Sequence, residues 1–214
     1  MDVQREFAKR PPQEPLTSLA AIVRDWQMRT APGGGLDLKR DDVVEWCRSA
    51  ESWRVAVYRA VASRRPNGKM HNHQSKVKEA DRTLFGDRIT EEWPHPNNEW
   101  PSSFDDFHDR LVEIRPHGIG PVTTYDVAVR VGAFLELEPE SLYLHAGVRQ
   151  GWLALLPVEP FGVSRHWRGV ERVPRSMWPT EVMGWKADEL EDFLCTYREL
   201  FRSIREAGWR APWE

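Results

Sequence analysis

Cysteine is almost missing from this chain: two residues, Cys47 and Cys195, in 214. Their wide separation and the lack of a secretion signal argue against a disulfide framework and a thiolate metal site, so reduced, buried thiols are expected. Long apolar runs are missing too, and no helix is expected to cross a membrane. The opening Met-Asp-Val-Gln-Arg-Glu-Phe carries no apolar signal region, which points to a cytoplasmic protein. Excess positive charge is absent. Thirty Lys and Arg stand against 33 Asp and Glu, a net charge of −3, which argues against a uniformly basic nucleic-acid coat. There is no P-loop, no dinucleotide fingerprint and no Ser-His-Asp signature. His71 and His73 lie two apart, with His95, His108 and His117 further on, and no third ligand stands at metal spacing. Neither a cofactor nor a metal is expected.

Strict apolar–polar alternation and internal repeats are also lacking; what is there is helical periodicity. From Thr17 to about Arg29, Leu19, Ile22, Val23 and Trp26 recur at helical spacing behind a Thr17 or Ser18 cap. The run Ala31-Pro32-Gly33-Gly34-Gly35 breaks the chain. Further helices are predicted over Asp41–Ser49, Ser52–Arg65, Gln74–Phe85, Phe104–Ile114, Val122–Leu135, Pro139–Leu155 and Asp188–Glu206. Between them lie a turn at Arg64–Gly68, a polar loop over 86–101 and an irregular stretch over 157–185. The expected architecture is all-α, with an N-terminal arm and short helix over 1–35 and a helical domain over 36–214. Eleven tryptophans are many for this length; some must be core, and others are expected at the surface for stacking or partner contact.

The most specific stretch runs from His117 to Gly132. Gly118 and Gly120 flank Ile119, a helical pattern ends just before them and another begins just after. The glycines are expected to turn through positive φ and to let a ligand approach the backbone closely. Pro121 suits the first helical position, Ile119 is expected to plug the turn into the core, and the free amides of the new helix suit an anion such as a phosphate. Charge is patterned around this turn. Arg54 to Lys78 holds seven basic residues and no acid; Glu79 to Arg110 holds nine acids against three bases; His145 to Arg175 holds five arginines against two acids. Converging in space, the two basic stretches would form one positive face; otherwise they are solvated helix surfaces.

Residues from about 50 to 155 resemble the helix-hairpin-helix DNA glycosylase superfamily, the base-excision enzymes related to endonuclease III. Three features carry the likeness. They are the hairpin Gly118-Ile119-Gly120 followed by Thr123; the Trp53 helix leading to His73-Gln74-Ser75-Lys76-Val77, similar to the family's glutamine-bearing segment near the substrate base; and Tyr143-Leu144-His145, where the family has an aspartate followed two residues on by a histidine. The departures are equally informative. Val122 stands where bifunctional members carry a nucleophilic lysine, so a Schiff-base lyase is not implied. Monofunctional members need a carboxylate for the developing oxocarbenium charge and for water. Register from His145 puts Tyr143 there, while distance from the hairpin favours Glu140. Glu140 also reads as an acid in a helix first turn after Pro139, and Asp126, at i, i+4 from Arg130, as a helix-face pair.

These readings lead to a duplex-DNA-binding protein, monomeric by preference. The phosphate would be held by Gly118, Ile119, Gly120, Val122 and Thr123, with Lys69, His73, Gln74, Lys76, Arg149, Arg165 and Arg168 around it. As an enzyme it would be a monofunctional DNA N-glycosylase, a hydrolase, with Glu140 or Asp126 as carboxylate and Tyr143 and His145 in the base pocket. The alternatives are a non-catalytic DNA-binding or sensing module and a protein–protein adaptor anchored by exposed tryptophans. The setting, DNA repair or phage defence among others, stays open.

Overall fold

The structure, a computed structural model, describes residues 16, 18–34, 42–70, 74–94, 100–155 and 172–206. These residues are mostly helical. In chain order the helices are α1 (Leu19–Thr30), α2 (Asp42–Arg48), α3 (Trp53–Ala62), α4 (Glu79–Glu92), α5 (Phe104–Ile114), α6 (Pro121–Phe134), α7 (Ala146–Leu155) and α8 (Ala187–Glu206). Two short strands, β1 (Leu142–Tyr143) and β2 (Arg172–Val173), form an antiparallel ladder with Leu142 opposite Val173. No helix among the described residues is long and apolar enough to cross a membrane. The chain divides into two compact units, a contiguous one over 39–140 and a two-segment one over 1–38 with 141–214.

The contiguous unit holds α2 to α6. Ser52 caps α3 by accepting from the Val55 amide at 3.4 Å, and Trp53, Ala56, Val57, Ala60 and Val61 bury one face of the helix. Trp53 lies edge-on to Trp93 and Trp100 and packs on Phe107. The helix stops at Ser63, which takes a left-handed φ of 52° and returns its hydroxyl to the Ala60 carbonyl. The apolar pattern predicts a helix over Gln74–Phe85 and a loop from Gly86. Instead α4 starts at Glu79 and runs to Glu92. Gly86 does not break it, because this glycine marks where α4 presses on α3: a Cβ there would stand 3.0 Å from a Val61 methyl. Packing offsets the modest cost of a helical glycine.

The two-segment unit joins α1 to the C-terminal third of the chain. Leu19, Ile22 and Trp26 share a core with Val148, Trp152 and Phe193. Trp26 meets Phe193 and Tyr197 edge-on at 5.7 and 5.9 Å between ring centroids, a favoured aromatic arrangement. Inside this core Asp25, 2% exposed, accepts from the Tyr197 hydroxyl at 2.6 Å and from Arg29 Nε at 2.7 Å. Burial, then the Asp25 carboxylate, push the Tyr197 phenol well above its ordinary range, so it stays a donor. The predicted helix over Pro139–Leu155 begins only at Ala146. Leu142, Tyr143 and Leu144 are all buried, and a continuous buried run suits a covered strand better than a first helical turn with one face in water.

Asp25 anchors two polar groups in an apolar interior. Asp25→Ala is expected to cost about 3–5 kcal/mol, because a buried guanidinium loses its counter-charge. Tyr197→Phe should cost about 1 kcal/mol, the worth of a single hydrogen bond. Urea titration followed by tryptophan fluorescence checks both; equal losses would contradict the assignment.

Candidate nucleic-acid interface

The turn between α5 and α6 is built from its middle outward. Ile119 is 3% exposed while Gly118 and Gly120 on either side are exposed. The Ile119 amide donates to the Pro116 carbonyl at 3.0 Å, which closes the turn. The expectation of positive φ is not met. Gly120 has φ −86° and ψ 171°, and the positive-φ glycines among the described residues are Gly33 and Gly68. Of the two, only Gly118 answers to a demand for space. A Cβ on Gly118 would run into the Asp81 carboxylate, whereas one on Gly120 would meet nothing within 4 Å.

Gly120 is the N-cap of α6 and Pro121 its first residue. Thr124 returns both its amide and its hydroxyl to the Gly120 carbonyl, at 3.0 and 3.1 Å. No side chain caps this end, and the Val122 and Thr123 amides have no partner among the described residues. The start of α6 thus carries the partial positive charge and the free donors that suit an anion. The half-buried Asp81, in the first turn of α4, sits against Gly118 and brings a negative charge to the same turn. Asp81 has no signal in the sequence, since its nearness to Gly118 is a tertiary contact.

One turn into α6, Asp126 is 22% exposed at its side chain. It reads from sequence as a solvated pair with Arg130; the structure makes it part of an internal network. Gln74, fully buried, donates Nε2 to Asp126 Oδ2 at 2.5 Å. Arg130, also fully buried, places Nη2 3.9 Å from the same oxygen and donates Nη1 to Ser63 Oγ at 3.0 Å. Arg82 donates to the Gln74 and Val77 carbonyls and fixes the turn that carries Gln74. Gln74 Oε1 is buried with no hydrogen-bond partner among the described residues. Gln74 and Asp126 are therefore brought together. Arg130 was not chosen from sequence, although a charge inside the run Val127-Ala128-Val129-Arg130-Val131 is the mark of a buried pair.

The other carboxylate candidate differs. Glu140 is exposed in irregular chain, with no partner among the described residues; it is not in a helix first turn, because α7 starts later. Tyr143 and His145 belong to the two-segment unit. Tyr143 is buried in β1, and His145 Nε2 pairs with Glu191 at 2.7 Å. Burial, Glu191 and Asp192 push the Cys195 thiol up to about 12, which leaves it protonated and a poor nucleophile. No group of three His, Cys, Asp or Glu side chains suited to a metal occurs among the described residues.

The charged candidates separate similarly. Lys69 and Lys76 are exposed on the contiguous unit, and Arg149 is half-buried on the other. His73, Arg165 and Arg168 lie outside the described residues. Within the first basic stretch, Arg59 stacks on Trp46 and pairs with Glu51, and Arg65 lies 3.7 Å from Asp42. No described tryptophan is exposed. No known family model, curated protein or solved structure matches this chain.

Ile119 is the apolar pin of the turn. Ile119→Ala should destabilise the contiguous unit by about 2–4 kcal/mol, the range for emptying a buried aliphatic site. Thermal melting checks this, and a loss below about 1 kcal/mol would mean that the turn stands without its pin.

Proposed function

We propose that this chain is a DNA-binding protein of the helix-hairpin-helix type, in which the turn before α6 holds a backbone phosphate of a duplex. The observation that carries the reading is the uncapped start of α6. Its Val122 and Thr123 amides have no partner among the described residues, and Gly120 faces open space beside them. An anion fits there because oriented backbone donors and the helix dipole act together. Exposed Lys69 and Lys76 add positive charge on the same unit. Asp81 opposes it, which suits a site that releases DNA readily rather than one that locks it. An adaptor anchored by tryptophans lacks those anchors among the described residues.

Gly120→Asp tests this reading. At an N-cap with extended backbone an aspartate accepts from the second or third helical amide, so the variant fills the anion site with its own carboxylate. Stability should hold or rise by a few tenths of a kcal/mol. Affinity for a labelled duplex, read by fluorescence anisotropy, should fall at least tenfold. Wild-type affinity should drop steeply with added salt, as phosphate contacts release counterions. Unchanged binding by the variant, or salt-independent binding by the wild type, removes the proposal.

A second reading, a monofunctional DNA N-glycosylase, is favoured by one observation. The family-like glutamine, Gln74, hydrogen-bonds the carboxylate of Asp126 one turn after the hairpin. In that reading Asp126 stabilises the oxocarbenium-like charge and orients water. Asp126→Asn keeps an acceptor for Gln74 and removes the charge. Abasic sites formed by the wild type on a panel of modified duplexes should be lost in the variant. Product formation that survives the substitution assigns the chemistry elsewhere, and no product with any duplex leaves the non-catalytic reading.

A further inference from the structure

Beside the Val61–Gly86 contact, α3 and α4 line a half-open cleft of about 220 Å³. Val57, Val61 and Gly86 give it an apolar lining, and Tyr58 stands beside them with 70% of its surface exposed. An aromatic ring left in water at the edge of an apolar cleft is a stacking surface without a partner. The volume lies below the roughly 300–1,000 Å³ of pockets for drug-sized ligands and suits one ring system.

The charges around it define the ligand further. Arg82 lines the cleft at 6% exposure, yet among the described residues it bonds only the Gln74 and Val77 carbonyls. Its Nε is buried without a hydrogen-bond partner, and no carboxylate pairs with it among the described residues. A buried guanidinium without a counter-charge is costly and favours an anion nearby. Among the described residues Arg54, which also lines the cleft, has no ion pair, and the Arg64 side chain bonds only the Gly68 carbonyl. On the α4 side Glu79, Thr83 and Asp87 offer acceptors suited to exocyclic amines.

A ring that stacks, an anionic group and amine donors together describe a nucleotide. We propose that this cleft binds a single nucleotide, its base on Tyr58 and its phosphate toward the arginines. The lining residues all belong to α3, α4 or the turn after α3, and none belongs to the hairpin, so the site stands apart from the duplex reading. The nucleotide is either free or an unpaired residue of a strand.

Two probes separate these sources: 2-aminopurine riboside monophosphate, and a short oligothymidylate carrying one 2-aminopurine. Stacking on Tyr58 should quench the fluorescence of whichever source is bound. Tyr58→Ala should weaken binding roughly ten- to hundredfold, the range for losing one stacked base. Tyr58→Phe should stay within about twofold of the wild type, because the ring is kept. Arg54→Ala should lower affinity and reduce the salt slope by about one. Gly120→Asp should leave the quenching unchanged, which separates this site from the hairpin. Quenching of the monophosphate alone assigns a free nucleotide, and of the oligonucleotide alone an unpaired strand residue. No quenching of either probe overturns the proposal, as does a Tyr58→Ala variant that binds like the wild type or a Gly120→Asp variant that does not bind.

Discussion

A guanidinium sealed from water organises the unit that carries the hairpin. Arg130 stands on α6 with its side chain 1% exposed, and it reaches Ser63 at the end of α3 and Asp126 on its own helix. Asp126 in turn accepts from Gln74, whose backbone carbonyl accepts from Arg82 on α4. Three helices and one turn are thereby tied through a line of polar groups inside an apolar unit. Buried charges persist only where partners are placed closely around them. The network therefore restricts how α6 can sit, and with α6 the turn that precedes it. Ser63 accepts a left-handed backbone at some local cost, and the Arg130 bond gives that conformation a purpose.

The hairpin is the counterpart of this interior. Its middle residue faces inward and its two glycines face outward, so the turn is pinned without being covered. The Val122 and Thr123 amides at the start of α6 have no partner in the described chain, although Val122 is half-buried and Thr123 is buried. Asp81 complicates the local field. A carboxylate in the first turn of α4 is favourable to that helix, yet it lies against Gly118. The same side chain stabilises one helix and opposes an anion at the next, so in the proposed reading the affinity for a phosphate is a difference between two effects and not the sum of favourable ones.

Much of the helical layout was legible. Phe104–Ile114 coincides with its apolar period, because Phe104, Phe107 and Leu111 form one stripe behind a Ser103 cap. The hairpin was legible because glycine, proline and a lone aliphatic residue have local meaning at a helix start. The start and end of α4 were not, since Gly86 reads as a break when Val61 is out of view. Nor was the strand at Leu142, whose partner Val173 lies beyond α7 in sequence and pairs with it only in three dimensions. Among the site residues, Gln74 and Asp126 could be named separately but not joined. The role of Arg130 was hinted at by its apolar neighbours, and nothing local marked Asp81 or the cleft beside Tyr58.

Local chemistry alone determined that this chain is mostly helical, where most of its helices lie and which turn exposes its backbone. Those properties follow from periodicity, capping and the conformational limits of glycine and proline, all of which act within a few residues. The folded chain decided the rest: that α1 closes on α8 through Asp25 and Tyr197, that Gln74 meets Asp126, and that Arg82 pairs with no carboxylate of the described residues beside an open cleft. Each of these depends on groups far apart in sequence being buried together, and burial is a property of the packed molecule that no short stretch of sequence specifies.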